Sequence, residues 1–90
     1  YGVVKAAQIH LVKELAVRLA VKNIRVNAVS YGGVEGRVDT DFKKRYAKLA
    51  PSGRMLNHDD LYPPVKYFLD NPNLNVTGEN LKVDGGWTIW

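Results

Sequence analysis

The stretch Lys22-Asn23-Ile24-Arg25-Val26-Asn27-Ala28-Val29-Ser30-Tyr31-Gly32-Gly33-Val34-Glu35-Gly36 decides the fold. Asn23 is a helix breaker of the C-terminal kind, and Ile24 to Ser30 follows at once as a strand. A helix that passes into a strand with almost no loop is an α/β connection. Val26, Ala28 and Val29 make the strand apolar on more than one face, the pattern of an interior parallel strand covered on both sides. Ligands in open α/β sheets sit beyond the carboxyl ends of the strands. Gly32, Gly33 and Gly36 stand at that end, where the lack of a Cβ lets backbone approach closely; a plain tight turn accounts for them equally well.

Upstream, the sequence predicts a long helix from Gly2 to Lys22. At about 100° per residue, Val4, Ile9, Leu11, Val12, Leu15 and Leu19 share one arc. Tyr1 and Lys5 project into the middle of it. Their four-residue spacing stacks the side chains one turn apart on one face, which brings the Lys5 ammonium toward the Tyr1 phenol, as in a tuned acid. Val3, Val17 and Val21 form a thinner stripe nearly opposite, so the helix has apolar contacts to make on two sides. His10 lies on that stripe and reads as a packed or surface histidine; His58 is its only fellow, and no metal site is expected.

Downstream, Arg37 to Gly53 is irregular except for an amphipathic segment from Thr40 to Leu49, with Phe42, Tyr46 and Leu49 on one side. Closed by Ala50-Pro51-Ser52-Gly53, it reads either as a lid between flexible joints or as a surface excursion. Asn57 is a good N-cap, and Asp59 and Asp60 favour the positive end of a helix dipole. Because interior proline is tolerated only in the first turn, a turn over Asn57 to Tyr62 precedes a helix restarting at Pro63. Asp70-Asn71-Pro72-Asn73 ends it, Val76-Thr77-Gly78 turns, and Asn80 to Asp84 alternates as a last strand before Gly85-Gly86. The order is helix, strand, short helix, helix, strand. Two strands form less than half of a doubly wound sheet and leave edges and an apolar helix face uncovered.

Composition agrees with one incomplete domain. At 90 residues and 46% hydrophobic, the chain is too apolar for disorder and has room for only one small core. There is no cysteine, hence no disulfide and no thiolate metal site. A net charge of +4 raises nucleic acid as a partner, but the basic residues are scattered. Their densest group, Lys43, Lys44, Arg45 and Lys48, follows Asp39 and Asp41 and reads as a solvated helix face. No apolar run approaches the roughly 20 residues of a membrane span, so a cytoplasmic protein without membrane or nucleic-acid partners is expected. Tyr1 stands in a working position at the start of the chain, the mark of a fragment.

Three motifs in order carry a resemblance. Tyr1-x-x-x-Lys5 opens a helix, Ile24-Arg25-Val26-Asn27 leads to a Gly-rich turn, and Thr77-Gly78 leads to Val83-Asp84-Gly85-Gly86-Trp87. Together they resemble the C-terminal part of a short-chain dehydrogenase/reductase of the Tyr-x-x-x-Lys type, over essentially the whole chain. The resemblance implies a doubly wound, parallel-sheet Rossmann fold of which the dinucleotide-binding N-terminal half is absent here. It implies hydride transfer between NAD or NADP and a small carbonyl or alcohol substrate. The family's catalytic pair maps onto Tyr1, as acid or base, and Lys5, which tunes it and binds the cofactor ribose. Hydride addition to a carbonyl leaves an alkoxide that needs a proton, and a nearby ammonium favours the ionised phenol. The turn Tyr31, Gly32, Gly33 and Val34 is implied as the backbone that meets the nicotinamide carboxamide.

The chain departs from the family's pattern at two places. Pro-Gly is usual where Tyr31-Gly32 stands, and a hydroxyl residue usual a few positions on is replaced by Gly36. Arg37 and Arg54 are candidates for an acidic substrate group, with solvated arginines the plainer reading; the excursion and the tail Trp87-Thr88-Ile89-Trp90 occupy the places that shape substrate pockets or subunit contacts. Two functions follow. The chain is one part of a homo-oligomeric reductase or dehydrogenase, a dimer or tetramer, inactive by itself; or it is a truncated, non-catalytic module that self-associates through its first helix.

Overall fold

A computed structural model describes all of residues 1–90. The order of elements is α1 (Gly2–Leu19), a short 3-10 turn (Ala20–Lys22), β1 (Ala28–Tyr31), α2 (Thr40–Leu49), a second 3-10 turn (His58–Asp60), α3 (Tyr62–Leu69) and β2 (Asn80–Val83). β1 and β2 form a two-stranded sheet. Ala28 N–H donates to Glu79 C=O at 2.8 Å and Gly32 N–H to Val83 C=O at 2.9 Å. Both partners advance together along the chain, so the pair is parallel. The chain divides into two compact units, Tyr1–Val29 with Asn73–Leu81, and Ser30–Pro72 with Lys82–Trp90.

In the first unit, α1 closes at Asn23, whose φ of 59° is left-handed. Its N–H reaches Ala20 C=O at 2.9 Å, and Ile24 N–H reaches Leu19 C=O at 3.2 Å, which satisfies carbonyls at the helix end. The expected apolar arc is only partly packed. Ala16 is buried and Val12, Leu15 and Leu19 are half-buried, whereas Val4, Ile9 and Leu11 are exposed. Ala16 is small enough for the turn at Gly78, φ +76°, to come against it; a Cβ on that glycine would sit 3.5 Å from the Ala16 methyl. The stripe of Val3, Val17 and Val21 stands 85%, 76% and 88% exposed.

The strand begins later than the apolar run suggests, at Ala28 rather than Ile24. Side chains replace the ladder before it. Val26 N–H donates to Thr77 Oγ1 at 3.0 Å, while the Asn27 amide gives a hydrogen bond to Val76 C=O at 2.9 Å and takes one from Glu79 N–H at 3.0 Å. The strand residues are half-buried rather than covered on both sides, because this chain supplies only one neighbouring strand.

In the second unit the core is Ala50, Met55 and Leu56, exposed by 5%, 3% and 7%. Asp39 caps α2 through Phe42 N–H at 2.6 Å. Asn57 and Asp60 form a reciprocal capping box at the 3-10 turn. Asp60 also takes both arms of the Arg54 guanidinium, at 2.6 and 2.9 Å, so the exposed Arg54 side chain already holds a carboxylate of its own chain. This fork and the Asn57 N–H hold the Asp60 carboxyl down to about 2. α3 begins at Tyr62, with Pro63 and Pro64 in the first turn where the missing N–H groups cost nothing. The segment after α2 is anchored at two points. Ala50 is buried, and Ser52 N–H donates to Gly85 C=O at 2.9 Å.

Candidate functional site

Tyr1 and Lys5 belong to the first unit. Tyr1 caps α1, and Lys5 N–H donates to its carbonyl at 3.0 Å. The helical turn between them carries the Lys5 Nζ to 5.6 Å from the centre of the Tyr1 ring, a cation lying over a π face. The sequence spacing therefore brings the two together as expected. Tyr1 is 96% exposed. On the opposite side of the helix, His10 pairs with Glu14 at 3.4 Å and Arg18 with the same carboxylate at 3.9 Å, an ordinary exposed row.

Tyr31, Gly32, Gly33 and Val34 belong to the second unit, where β1 ends. The Tyr31 hydroxyl donates to Leu61 C=O and so ties the turn to the start of α3. The two glycines are needed, for a reason internal to the chain. A Cβ on Gly32 would lie 2.8 Å from the Asp84 Cβ, and one on Gly33 would lie 2.7 Å from Cε2 of Tyr46 and 3.0 Å from Cε of Met55. Gly36, by contrast, has nothing within 4 Å of the same position.

Past the glycines, Val34 forms a parallel bridge with Leu56. Leu56 N–H donates to Gly33 C=O at 2.9 Å, and Glu35 N–H donates to Leu56 C=O at 2.8 Å. In a planar trans peptide the C=O and N–H point opposite ways. The Val34 N–H and C=O are thus both turned away from Leu56, one donor and one acceptor side by side. That pair complements a carboxamide, which offers one carbonyl and one amino group. The donor set at Val34 fits the nicotinamide end of a dinucleotide.

Two clefts lie within the second unit. Glu35, Gly36, Val38, Thr40, Lys43 and His58 line one of about 260 Å³, across which Lys43 Nζ pairs with Glu35 at 2.9 Å. Lys48, Leu49, Trp87 and Trp90 line a more apolar cleft of about 550 Å³. Trp87 stacks on Tyr46 with ring centres 4.1 Å apart and planes 7° from parallel.

The turn Asp84-Gly85-Gly86-Trp87 is held by its own carboxylate. Asp84 accepts from the Thr88 hydroxyl at 2.6 Å and from Gly86 N–H at 2.9 Å, contacts that hold its carboxyl below the usual range, the hydroxyl first. Gly85 and Gly86 have φ of 62° and 88°. A Cβ on Gly86 would lie 2.9 Å from ring carbons of Pro51. Tyr46, absent from the sequence-derived site, is the residue on which this unit converges. Its only signal was the Phe42, Tyr46, Leu49 face of α2.

Comparison with known proteins gives the same reading along the whole chain. The sequence profile described as Enoyl-(Acyl carrier protein) reductase matches residues 1–88. Sorbose reductase SOU1 of Candida albicans is 36% identical over 92 residues, covering 98% of this chain and 33% of that protein. Among solved structures, the chain is similar to a short chain dehydrogenase of Leptospira borgpetersenii with bound NAD+, with 41% identity and a TM-score of 0.90 over 98% of this chain and 35% of that one. It is also similar to ElxO with NADP bound, 27% identical with a TM-score of 0.86, over 100% and 39% of the two chains. The chain spans about a third of the length of these relatives. Its helices and parallel strands are part of a doubly wound Rossmann-type sheet.

Proposed function

The chain belongs to the short-chain dehydrogenase/reductase family, and from that membership we propose that it is the C-terminal portion of an oxidoreductase transferring hydride between NAD or NADP and a small carbonyl or alcohol. One observation carries the reading: Lys5 Nζ lies over the Tyr1 ring, 5.6 Å from its centre, at the first turn of an exposed helix end. Tyr1 acts as the acid or base at the substrate oxygen, giving a proton to the alkoxide in reduction and taking one from the alcohol in oxidation. Lys5 tunes the phenol by its charge and binds the cofactor ribose. Tyr31, Gly32, Gly33 and Val34 form the cofactor-facing turn, with the Val34 N–H and C=O as the contacting atoms. The bound dinucleotide supplies or accepts the hydride. Leu49, Trp87 and Trp90 form a wall for the apolar part of the substrate.

The 90 residues are inactive by themselves on this reading, since nothing in them cradles a pyrophosphate. The assembled enzyme is a cytoplasmic dimer or tetramer, a reading supported by the exposed Val3, Val17 and Val21 of α1. Tyr1→Phe in the whole protein is expected to lower kcat by about 100-fold or more, the range for losing a positioned acid. Unchanged turnover refutes the assignment.

The second reading, a non-catalytic module self-associating through α1, rests on the same exposed valines. Intact mass and dinucleotide titration separate the two. A native protein of about 10.1 kDa that binds no dinucleotide favours the module, and a protein several times larger that binds one favours the enzyme.

A further inference from the structure

The turn after β1 is built from four successive peptide units, and each is held by a hydrogen bond. The Tyr31–Gly32 unit is held by Val83 C=O, which accepts Gly32 N–H at 2.9 Å. The Gly33–Val34 and Val34–Glu35 units are both held by the backbone of Leu56. The unit between, Gly32–Gly33, is held by a side chain. Its N–H donates to the Tyr46 hydroxyl at 2.9 Å.

That unit is the one most in need of a clamp. It joins two glycines, each with more conformational freedom to lose than any other residue, and it stands where no proline fixes the chain. The clamp is itself rigid. The Tyr46 ring stacks on Trp87 at 4.1 Å and 7°, and it lies so near Gly33 that a Cβ there would meet Cε2 and Cζ at 2.7 and 2.9 Å. The aromatic stack sets the ring, the ring sets the hydroxyl, and the hydroxyl sets the plane of the Gly32–Gly33 peptide. That plane leads directly into Val34.

We propose that Tyr46 is a positioning residue for the cofactor: through the Gly33 N–H it holds the Val34 backbone in the orientation that receives the nicotinamide carboxamide. It does not touch the cofactor. The inference rests on the assignment of Val34 to the nicotinamide end, so it also assigns to α2, otherwise legible as a lid or a surface excursion, a part in binding the dinucleotide.

The test is Tyr46→Phe, which removes the hydroxyl and keeps the ring stacked, in the whole protein. Two readouts do not depend on turnover. Hydrogen exchange of the Gly33 amide without ligand is expected to quicken several-fold in the variant, while the amides of β2 keep their wild-type rates. Dinucleotide binding is expected to weaken by about 2- to 13-fold, the effect of one net hydrogen bond on an equilibrium, while ADP-ribose, which lacks the nicotinamide, binds as tightly as to wild type. Unchanged exchange at Gly33 overturns the proposal, as does an equal weakening for both ligands, which is the mark of general damage to the fold. Tyr1→Phe separates this inference from the reading beneath it. Turnover lost in Tyr1→Phe with dinucleotide affinity intact in Tyr46→Phe leaves the oxidoreductase standing and removes only the role of Tyr46. A wild-type protein that binds no dinucleotide removes both.

Discussion

Gly33→Ala is the sharpest test of how the second unit is packed. The added Cβ would stand 2.7 Å from Cε2 and 2.9 Å from Cζ of Tyr46, and 3.0 Å from Cε of Met55. Carbon atoms rest at about 3.5–4.0 Å, so the ring has to retreat by close to an ångström. Moving the ring disturbs its stack on Trp87 and pulls its hydroxyl off the Gly33 N–H. Overpacking of this kind costs about 1–3 kcal/mol, and a lost hydrogen bond adds about 1 kcal/mol. We expect Gly33→Ala to destabilise the protein by about 2–4 kcal/mol in urea unfolding followed by tryptophan fluorescence.

Gly36→Ala is the matched control. Nothing lies within 4 Å of its added methyl and its backbone is not left-handed, so it should be neutral or stabilise by about 0.4–1 kcal/mol through the unfolded chain. In a Tyr46→Ala background the obstacle to the Gly33 methyl is gone, and most of the penalty should go with it. A Gly33→Ala protein within about 0.5 kcal/mol of wild type, the scatter of ordinary surface substitutions, refutes the packing argument. So does a penalty that persists undiminished when Tyr46 is alanine.

Two further outcomes follow. The Asp60 carboxyl is held at about 2 in the folded protein against an ordinary 3.8, so its contribution to stability is complete above about pH 4 and is lost as pH falls through 2. Asp60→Asn should therefore lower the Tm at pH 7, and its gap from wild type should close between pH 4 and pH 2; a gap constant across that window refutes the role of the Arg54 fork. Gly86→Ala combines a φ of 88° with Pro51 ring carbons at 2.9 Å, and is expected to destabilise by about 1–3 kcal/mol, checked by the same unfolding assay against an unchanged midpoint.

The elements were legible where local chemistry decides them. Thr40–Leu49, Asn57 as a cap, the break at Asn23 and the proline-tolerant start of α3 are all read from side chains acting within a few residues. Tyr1 and Lys5 were legible because helical spacing alone places Lys5 over the ring. The start of β1 was not, because Asn27 and Thr77, 50 positions apart in sequence, replace the ladder with side-chain bonds that no periodicity records. Arg54 is exposed, as the solvated reading has it, but its fork with Asp60 was not legible, because Asp60 was visible only as a helix-dipole acid.

The glycine doublets show the limit most clearly, and they bear on how function is distributed. Gly32-Gly33 and Gly85-Gly86 each follow a strand of the parallel pair, and sequence reasoning left the first open between room for a ligand and a plain tight turn. In the structure both doublets receive the same excursion. Tyr46 lies against Gly33, Ser52 against Gly85 and Pro51 against Gly86. The excursion is thereby packed onto the turn that faces the cofactor on our reading. Residues 46, 51 and 52 are its constrained positions, since each fills a space that a Cβ on the opposing glycine would occupy. Changes that reshape the proposed substrate wall at Leu49 or Trp90 leave those three contacts intact, whereas replacing the excursion as a block also replaces the clamp on Gly33. On our reading, substrate preference is separable from cofactor binding at single positions of this excursion and inseparable from it when the segment is exchanged whole.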